Sequence, residues 1–118
     1  MSKIFKVGLI GCGHISETYF RAQEYFNNIR IVKCADINMD AAKKCAIHYN
    51  IEAVTVDELL KDKEIEIILN LTIPGAHYQV SKLALENGKH SYAEKPLAVN
   101  FEDGKKLVEL ANKKNLYI

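Results

Sequence analysis

The sequence predicts a doubly wound α/β fold, in which a parallel sheet carries helices on both faces to give three layers, α/β/α. Strand-like runs alternate with amphipathic stretches along the whole chain, which is typical of such sheets. The run over residues 65–72 is nearly all apolar, as expected of a strand buried on both faces. A turn with two glycines, residues 11–13, joins the first strand-like run to the first amphipathic stretch.

The first half of the chain shows strand patterns over residues 3–10, 29–36 and 52–56. A helix is predicted over 14–26, because apolar side chains recur there at helical spacing (Ile15, Tyr19, Ala22 and Phe26). A second helix is predicted over 39–49, with Asn50 as its C-terminal stop. We expect Asp57 to cap a short helical turn that ends at Leu60.

In the second half, strands are predicted over 65–72 and 90–93, and residues 116–118 begin a sixth. Because the chain stops inside that strand, we expect it to be part of a longer protein. A helix over 76–87 should end at Gly88, with three residues facing inward (Val80, Leu83 and Ala84). The last helix should begin at a capping Asn100, followed by an acid that resembles a capping box and then by an apolar stripe (Asp103; Leu107, Val108 and Ala111).

Length and composition fit one globular domain over residues 1–118. The formal net charge is +1, which is not the excess of positive charge expected of a protein that binds a nucleic acid or a membrane surface. The three cysteines show no CxxC spacing, so we expect neither a disulfide framework nor a metal site (Cys12, Cys34 and Cys45). The N-terminus has no signal-peptide pattern, and no apolar run is long enough to span a bilayer. We therefore expect a cytoplasmic protein.

The glycine-containing turn has the position of a phosphate-binding loop, between a strand and the N-terminus of a helix. Gly11 permits the tight turn, and Gly13 leaves room for a pyrophosphate beside the free N–H groups of the helix. Ser16 stands where the usual pattern has a third glycine. We expect three further residues of the loop to line the site (Cys12, His14 and Ile15). The alternative is a purely structural strand–helix turn.

Asp36 ends the second predicted strand and follows Gly13 by 23 residues, close to the roughly 20 expected of the acid that binds the adenosine ribose. Its carboxylate would accept hydrogen bonds from the ribose hydroxyls and would repel a 2′-phosphate. Ile37 and Asn38 follow it, without an arginine, so we favour NAD over NADP. The alternative is that Asp36 caps the next helix, a role that Asn38 could also fill.

Two further segments lie where the fourth and fifth strands end, and ligands of such sheets bind at the carboxyl ends of the strands. They have the patterns Thr72-x-Pro74-x-x-His77 and Gly88-Lys89-His90 followed by Glu94-Lys95-Pro96. With the loop and Asp36, in this order, they resemble the Gfo/Idh/MocA family of NAD(P)-dependent oxidoreductases along essentially the whole chain.

The resemblance implies that the loop containing Leu71, Thr72, Pro74 and His77 flanks the riboses of the dinucleotide, although His77 could equally only pack the helix that begins near it. Glu94 would lie beside the nicotinamide ribose. Lys95, in a Lys95–Pro96 peptide that is often cis in this family, would contact the reacting oxygen of the substrate. A cation there stabilises a developing alkoxide, and a lysine can carry its proton.

Family members have a second domain that provides most substrate contacts and the acid/base partner of this lysine. We therefore expect this chain to bind the dinucleotide without turnover. The full-length protein would oxidise or reduce a sugar, a polyol or a related small molecule, and could form a homo-oligomer. Two alternatives stay open: a dinucleotide-sensing regulatory module without chemistry, and a methyltransferase that binds an adenosyl cofactor.

Overall fold

The computed structural model describes residues 3–118, so Met1 and Ser2, at the end where we expect no signal peptide, lie outside it. Within that range the strands are β1 (Phe5–Ile10), β2 (Ile29–Ala35), β3 (Glu52–Ala53), β4 (Ile67–Asn70) and β5 (His90–Ala93). The helices are α1 (His14–Ala22), α2 (Met39–Tyr49), α3 (Val56–Lys61), α4 (Pro74–Glu86) and α5 (Phe101–Lys114), with a 3-10 helix at Gln23–Tyr25. None of these helices is long and apolar enough to cross a membrane.

All the strands pair in parallel in one sheet, in the order β3-β2-β1-β4-β5. The chain therefore builds outward from β1 to β3 and then returns to the other side of β1 to add β4 and β5. This reversal confirms the doubly wound fold and opens a crevice between the carboxyl ends of β1 and β4.

The two faces of the sheet carry separate apolar clusters, because successive side chains of a strand point to opposite faces. Leu9 of β1 packs in the cluster beneath α1 and α2, with Phe20 and Ala42 among its members. Ile10 packs in the cluster on the other face, with Leu59 of α3 and Ala84 of α4. This arrangement gives the predicted three layers.

The first helix is shorter than predicted and buries a different face. α1 ends at Ala22, and the side chain of Gln23 accepts a hydrogen bond from the backbone N–H of Ile31 at 2.8 Å. The buried positions are Ser16 and Phe20, whereas Ile15 and Phe26 of the predicted stripe are 41% and 55% exposed. The ring of Phe20 stacks on Tyr49 of α2, with centroids 3.8 Å apart, which decides the buried face.

The predicted cap at Asp57 is wrong, because Thr55 begins α3. The Thr55 hydroxyl accepts from the backbone N–H of Glu58, and the Glu58 carboxylate accepts from the backbone N–H of Thr55. This reciprocal capping box satisfies two N–H groups that a cap at Asp57 would leave open. As a consequence the third strand is only Glu52–Ala53, not 52–56.

The C-terminal region differs from prediction in two respects. Residues 116–118 form no sixth strand, because α5 continues to Lys114 and only the Tyr117 carbonyl accepts a backbone hydrogen bond from β5, from Ser91 at 3.1 Å. On α5, Leu107 and Ala111 are buried, but Val108 is 42% exposed and does not belong to the inward stripe. The predicted Asn100 cap is confirmed, since its side chain accepts from the N–H of Asp103.

Candidate functional site

Gly11 begins the loop between β1 and α1 in a conformation that only glycine adopts readily. Its φ is 103°, and a Cβ atom built on it would lie 2.5 Å from the carbonyl oxygen of Leu71. Its N–H donates to the carbonyl of Ala35 at 2.9 Å. The loop is therefore seated against the ends of both β2 and β4, at the point where the sheet reverses.

Gly13 is the N-cap of α1 and faces open space: within the described part of the chain, a Cβ atom on it would meet nothing within 4 Å. No side chain from residues 3–118 caps this helix, so its first N–H groups are left for water or a ligand. Ser16, in place of the third glycine, is buried and donates from its hydroxyl to the carbonyl of Gly13 at 2.6 Å. His14 and Ile15 are exposed at the start of the helix. The geometry fits an anionic phosphate group.

The structure brings Asp36 to this loop. One carboxylate oxygen accepts from the N–H of Cys12 at 2.8 Å, and the other accepts from the N–H of Asn38 at 2.9 Å. Asn38, not Asp36, caps α2, since its side chain accepts from the N–H groups of Asp40 and Ala41. The half-buried Asp36 carboxylate thus stands at the edge of the glycine loop, and Ile37 beside it is fully exposed.

Asn70 organises the next loop, a role that the sequence analysis missed. This fully buried side chain donates to the carbonyl of His77 at 3.0 Å and to the hydroxyl of Ser81 at 2.9 Å. Its oxygen accepts from the hydroxyl of Thr72 at 2.7 Å. The available signal was a polar residue at the last position of an otherwise apolar strand. Asn70 therefore fixes the position of Thr72 and of the N-terminal turn of α4, which starts at an exposed Pro74 rather than at the predicted Ala76.

His77 is only 1% exposed, so its ring does not face the crevice. Each ring nitrogen lies 2.6 Å from a carbonyl oxygen, Nδ1 from that of Pro96 and Nε2 from that of Thr72. The imidazole therefore ties the loop after β4 to the loop after β5. Leu71, which directly precedes Thr72, buries its side chain in the apolar cluster beneath α1 and α2.

Glu94 and Lys95 follow β5. The N–H of Glu94 donates to the carbonyl of Asn70 at 3.1 Å, and its carboxylate accepts a hydrogen bond from the hydroxyl of Tyr19. Burial, reinforced by this carboxylate, raises the pKa of Tyr19. Lys95 is exposed, and the Lys95–Pro96 peptide is cis. Tyr19 is a second residue that the sequence analysis did not place in the site, because its contact with Glu94 spans 75 residues.

Comparison with known families gives one match over residues 5–118, to a family model described as "Oxidoreductase family, NAD-binding Rossmann fold" (GFO_IDH_MocA). An inositol 2-dehydrogenase of Salmonella typhimurium is 31% identical over 112 residues, which are 92% of this chain and 33% of the relative. A trans-1,2-dihydrobenzene-1,2-diol dehydrogenase of Xenopus tropicalis is 31% identical over 96% of this chain and 36% of the relative. The chain thus spans about a third of the length of these curated relatives.

Among solved structures, a dehydrogenase of Clostridium difficile is 30% identical with a TM-score of 0.87, over 97% of this chain and 38% of that one. The 3-ketoreductase KijD10 of Actinomadura kijaniata, solved in complex with NADP and TDP-benzene, is 26% identical with a TM-score of 0.91. The match covers 97% of this chain and 36% of the KijD10 chain.

Proposed function

Because the chain belongs to the Gfo/Idh/MocA family of oxidoreductases and has its NAD-binding Rossmann fold, we propose that it is the dinucleotide-binding domain of an NAD-dependent dehydrogenase for a sugar, a polyol or a related small molecule. The observation that carries the proposal is the contact between the glycine loop and Asp36, from the Cys12 N–H to the carboxylate at 2.8 Å. It places an uncapped helix N-terminus and an acid side by side at the reversal point of the sheet.

In this proposal the pyrophosphate of the dinucleotide lies over Gly13, where no side chain obstructs it, and accepts hydrogen bonds from the first N–H groups of α1. Asp36 accepts hydrogen bonds from the adenosine ribose hydroxyls, and its charge disfavours a 2′-phosphate. NAD is therefore the preferred cofactor. KijD10, at 26% identity, was solved in complex with NADP, and the relative affinities of this chain for NAD and NADP therefore test the role given to Asp36.

The loops after β4 and β5 serve the nicotinamide end. Asn70 and His77 act as positioning residues, since their side-chain hydrogen bonds hold Thr72 and Pro96 in place. Glu94, held by Tyr19, lies beside the nicotinamide ribose, and Lys95 extends into the substrate site. The bound dinucleotide supplies the hydride acceptor or donor. Lys95 stabilises the charge on the substrate oxygen and moves its proton.

The remaining substrate contacts and the acid/base partner of Lys95 come, in this proposal, from residues outside this chain, which spans about a third of its curated relatives. Acid/base catalysis needs both groups within hydrogen-bond reach of the substrate. The chain alone therefore binds dinucleotide and does not oxidise sugars or polyols.

The test is calorimetric titration of the purified chain with NAD, NADP and S-adenosylmethionine. NAD should bind and the adenosyl cofactor should not. Gly13→Ala should weaken NAD binding by about tenfold or more, because its Cβ atom fills the space above the loop. Gly104→Ala is the matched control, since Gly104 lies on α5 and a Cβ atom there makes only ordinary contacts, at 3.9 Å from Leu97 and 4.0 Å from Ala98.

Tighter binding of NADP than of NAD would reject the role given to Asp36, and binding of the adenosyl cofactor alone would favour a methyltransferase. In the full-length protein, Lys95→Ala should abolish turnover and leave dinucleotide affinity unchanged. A protein that functions only as a dinucleotide sensor would instead keep its response in that variant.

A further inference from the structure

The chain's three cysteines converge at one point beneath the glycine loop. Cys12 lies in that loop, Cys34 on β2 and Cys45 on α2, and their sulfur atoms are all within 4.8 Å of one another. All three are free thiols. Cys34 and Cys45 are buried and Cys12 is half-buried. The cysteines have no CxxC spacing and so predicted no metal site, but folding brings together residues that are far apart in the chain.

The sulfur atoms are spaced closely enough to share one ion. A bond of about 2.3 Å from each sulfur to a metal implies sulfur–sulfur distances of about 3.8 to 4 Å. Since the observed separations are at most 4.8 Å, contraction by about 1 Å or less is sufficient. The thiols have only weak hydrogen bonds to give up, from Cys34 to the carbonyl of Ala42 at 3.4 Å and from Cys12 to that of Ala35 at 3.6 Å.

Metal binding to cysteine releases the thiol proton, so one cation can take the place of the protons that these three free thiols hold.

We propose that Cys12, Cys34 and Cys45 form a three-coordinate site for a soft monovalent ion, Cu(I). Thiolate ligands select soft ions such as Cu(I) and zinc. Structural zinc sites need four ligands, and among residues 3–118 no further His, Cys, Asp or Glu joins this group. On binding, three Cu–S bonds form, the copper leaves the ligands that carried it, the S–H protons of the thiols pass to solvent, and the copper keeps its oxidation state.

Access to the site comes from the surface. A surface cleft is lined by two of the three cysteines, Cys12 and Cys45, together with Lys44 and His48. The ion would tie the glycine loop to β2 and α2. The competing interpretation is that the cysteines are only small apolar residues of the cluster beneath α1 and α2.

The experiment uses the reduced, folded chain under anaerobic conditions, with Cu(I) supplied as its bicinchoninate complex. The chain should withdraw one ion per molecule, and X-ray absorption should count three sulfur neighbours. Cys12→Ser and Cys45→Ser should each weaken binding by more than about 100-fold, the upper range for loss of an outer-shell partner. Met39→Leu is the control: Met39 packs against the same apolar cluster and carries a thioether sulfur outside the proposed site, so binding should be unchanged.

Failure to withdraw Cu(I) from the competitor would overturn the proposal, as would full binding by both serine variants. Fewer than three sulfur neighbours, or one ion shared by two chains, would also overturn it, and this measurement does not depend on whether a variant folds. Zn²⁺ binding at this site in preference to Cu(I) would reject the three-coordinate assignment. None of these measurements requires the chain to bind a dinucleotide.

Discussion

The hydroxyl of Tyr19, on the helix that follows the glycine loop, donates a hydrogen bond to the carboxylate of Glu94 at the carboxyl end of β5. This contact joins the two ends of the candidate site across the sheet. Burial, followed by this nearby negative charge, raises the pKa of Tyr19, because both disfavour the phenolate.

Tyr19→Phe should therefore change how stability depends on pH. Because folding raises the pKa of Tyr19, its protonated hydroxyl contributes stability to the folded chain. This stability is fully present below the ordinary tyrosine pKa of 10.0 and is lost as pH rises through the pKa of the folded state. Above pH 10 the free energy of unfolding should fall more steeply for the native chain than for the variant. Urea denaturation at neutral and alkaline pH measures this. Tyr25→Phe, at an exposed position, should leave the slope unchanged, and equal slopes for all three chains would contradict the prediction.

Gly11→Ala should destabilise the fold itself. The positive φ of Gly11 disfavours any side chain, and the new Cβ atom would lie 2.5 Å from the backbone oxygen of Leu71. We expect a loss of about 2 kcal/mol or more in the free energy of unfolding, from strain and overpacking together. Gly13→Ala, two residues on and without neighbours within 4 Å, should cost less than about 1 kcal/mol. Denaturant melts of the two variants without ligand test this, and similar losses in both would contradict it.

Asp36→Asn should reduce discrimination between NAD and NADP. The amide oxygen still offers an acceptor for the N–H of Cys12 or Asn38, so the loop should keep its shape. Without the negative charge, the 2′-phosphate is no longer repelled, and the affinity ratio should shift towards NADP by about tenfold or more. Titration with both dinucleotides gives the ratio. Asp40→Asn, in the first turn of α2, serves as the control, and an unchanged ratio in the Asp36 variant would remove the ribose role.

His77→Ala should destabilise the chain by about 2–4 kcal/mol, because the contacts of the imidazole with the carbonyls of Thr72 and Pro96 are lost and a cavity remains. His48→Ala, at an exposed position on α2, should change the free energy of unfolding by less than about 1 kcal/mol. Urea denaturation of both variants gives the comparison. Equal effects would show that the His77 contacts contribute little.

Local sequence patterns were sufficient to predict most of the fold. The bounds of α2 and its stop at Asn50 followed from apolar spacing and from the tolerance of asparagine for the left-handed conformation, which it adopts with φ 55°. The parallel sheet followed from the nearly continuous apolar run over residues 65–72. The glycine turn was recognisable because strand, turn and helix follow one another directly in the chain.

Errors arose where a local pattern competed with a contact from elsewhere. The stripe predicted for the first helix missed Phe20, whose position is decided by stacking on Tyr49 from α2. The same helix stops early, where the Gln23 side chain reaches the Ile31 N–H of the next strand. The spacing of apolar residues indicates which side chains share one face of a helix, but not which neighbouring element packs against that face.

The sequence alone determined the order of strands and helices, because each element depends on residues that are close in the chain. It also determined the spacing of Gly11, Gly13 and Asp36, which identifies the glycine loop and the acid without a structure. Only the folded chain joins Tyr19 to Glu94, buries His77 between two loops, and gathers the three thiols at one point. These features depend on contacts between distant segments, and their partners are selected by the packing of the whole sheet and its helices.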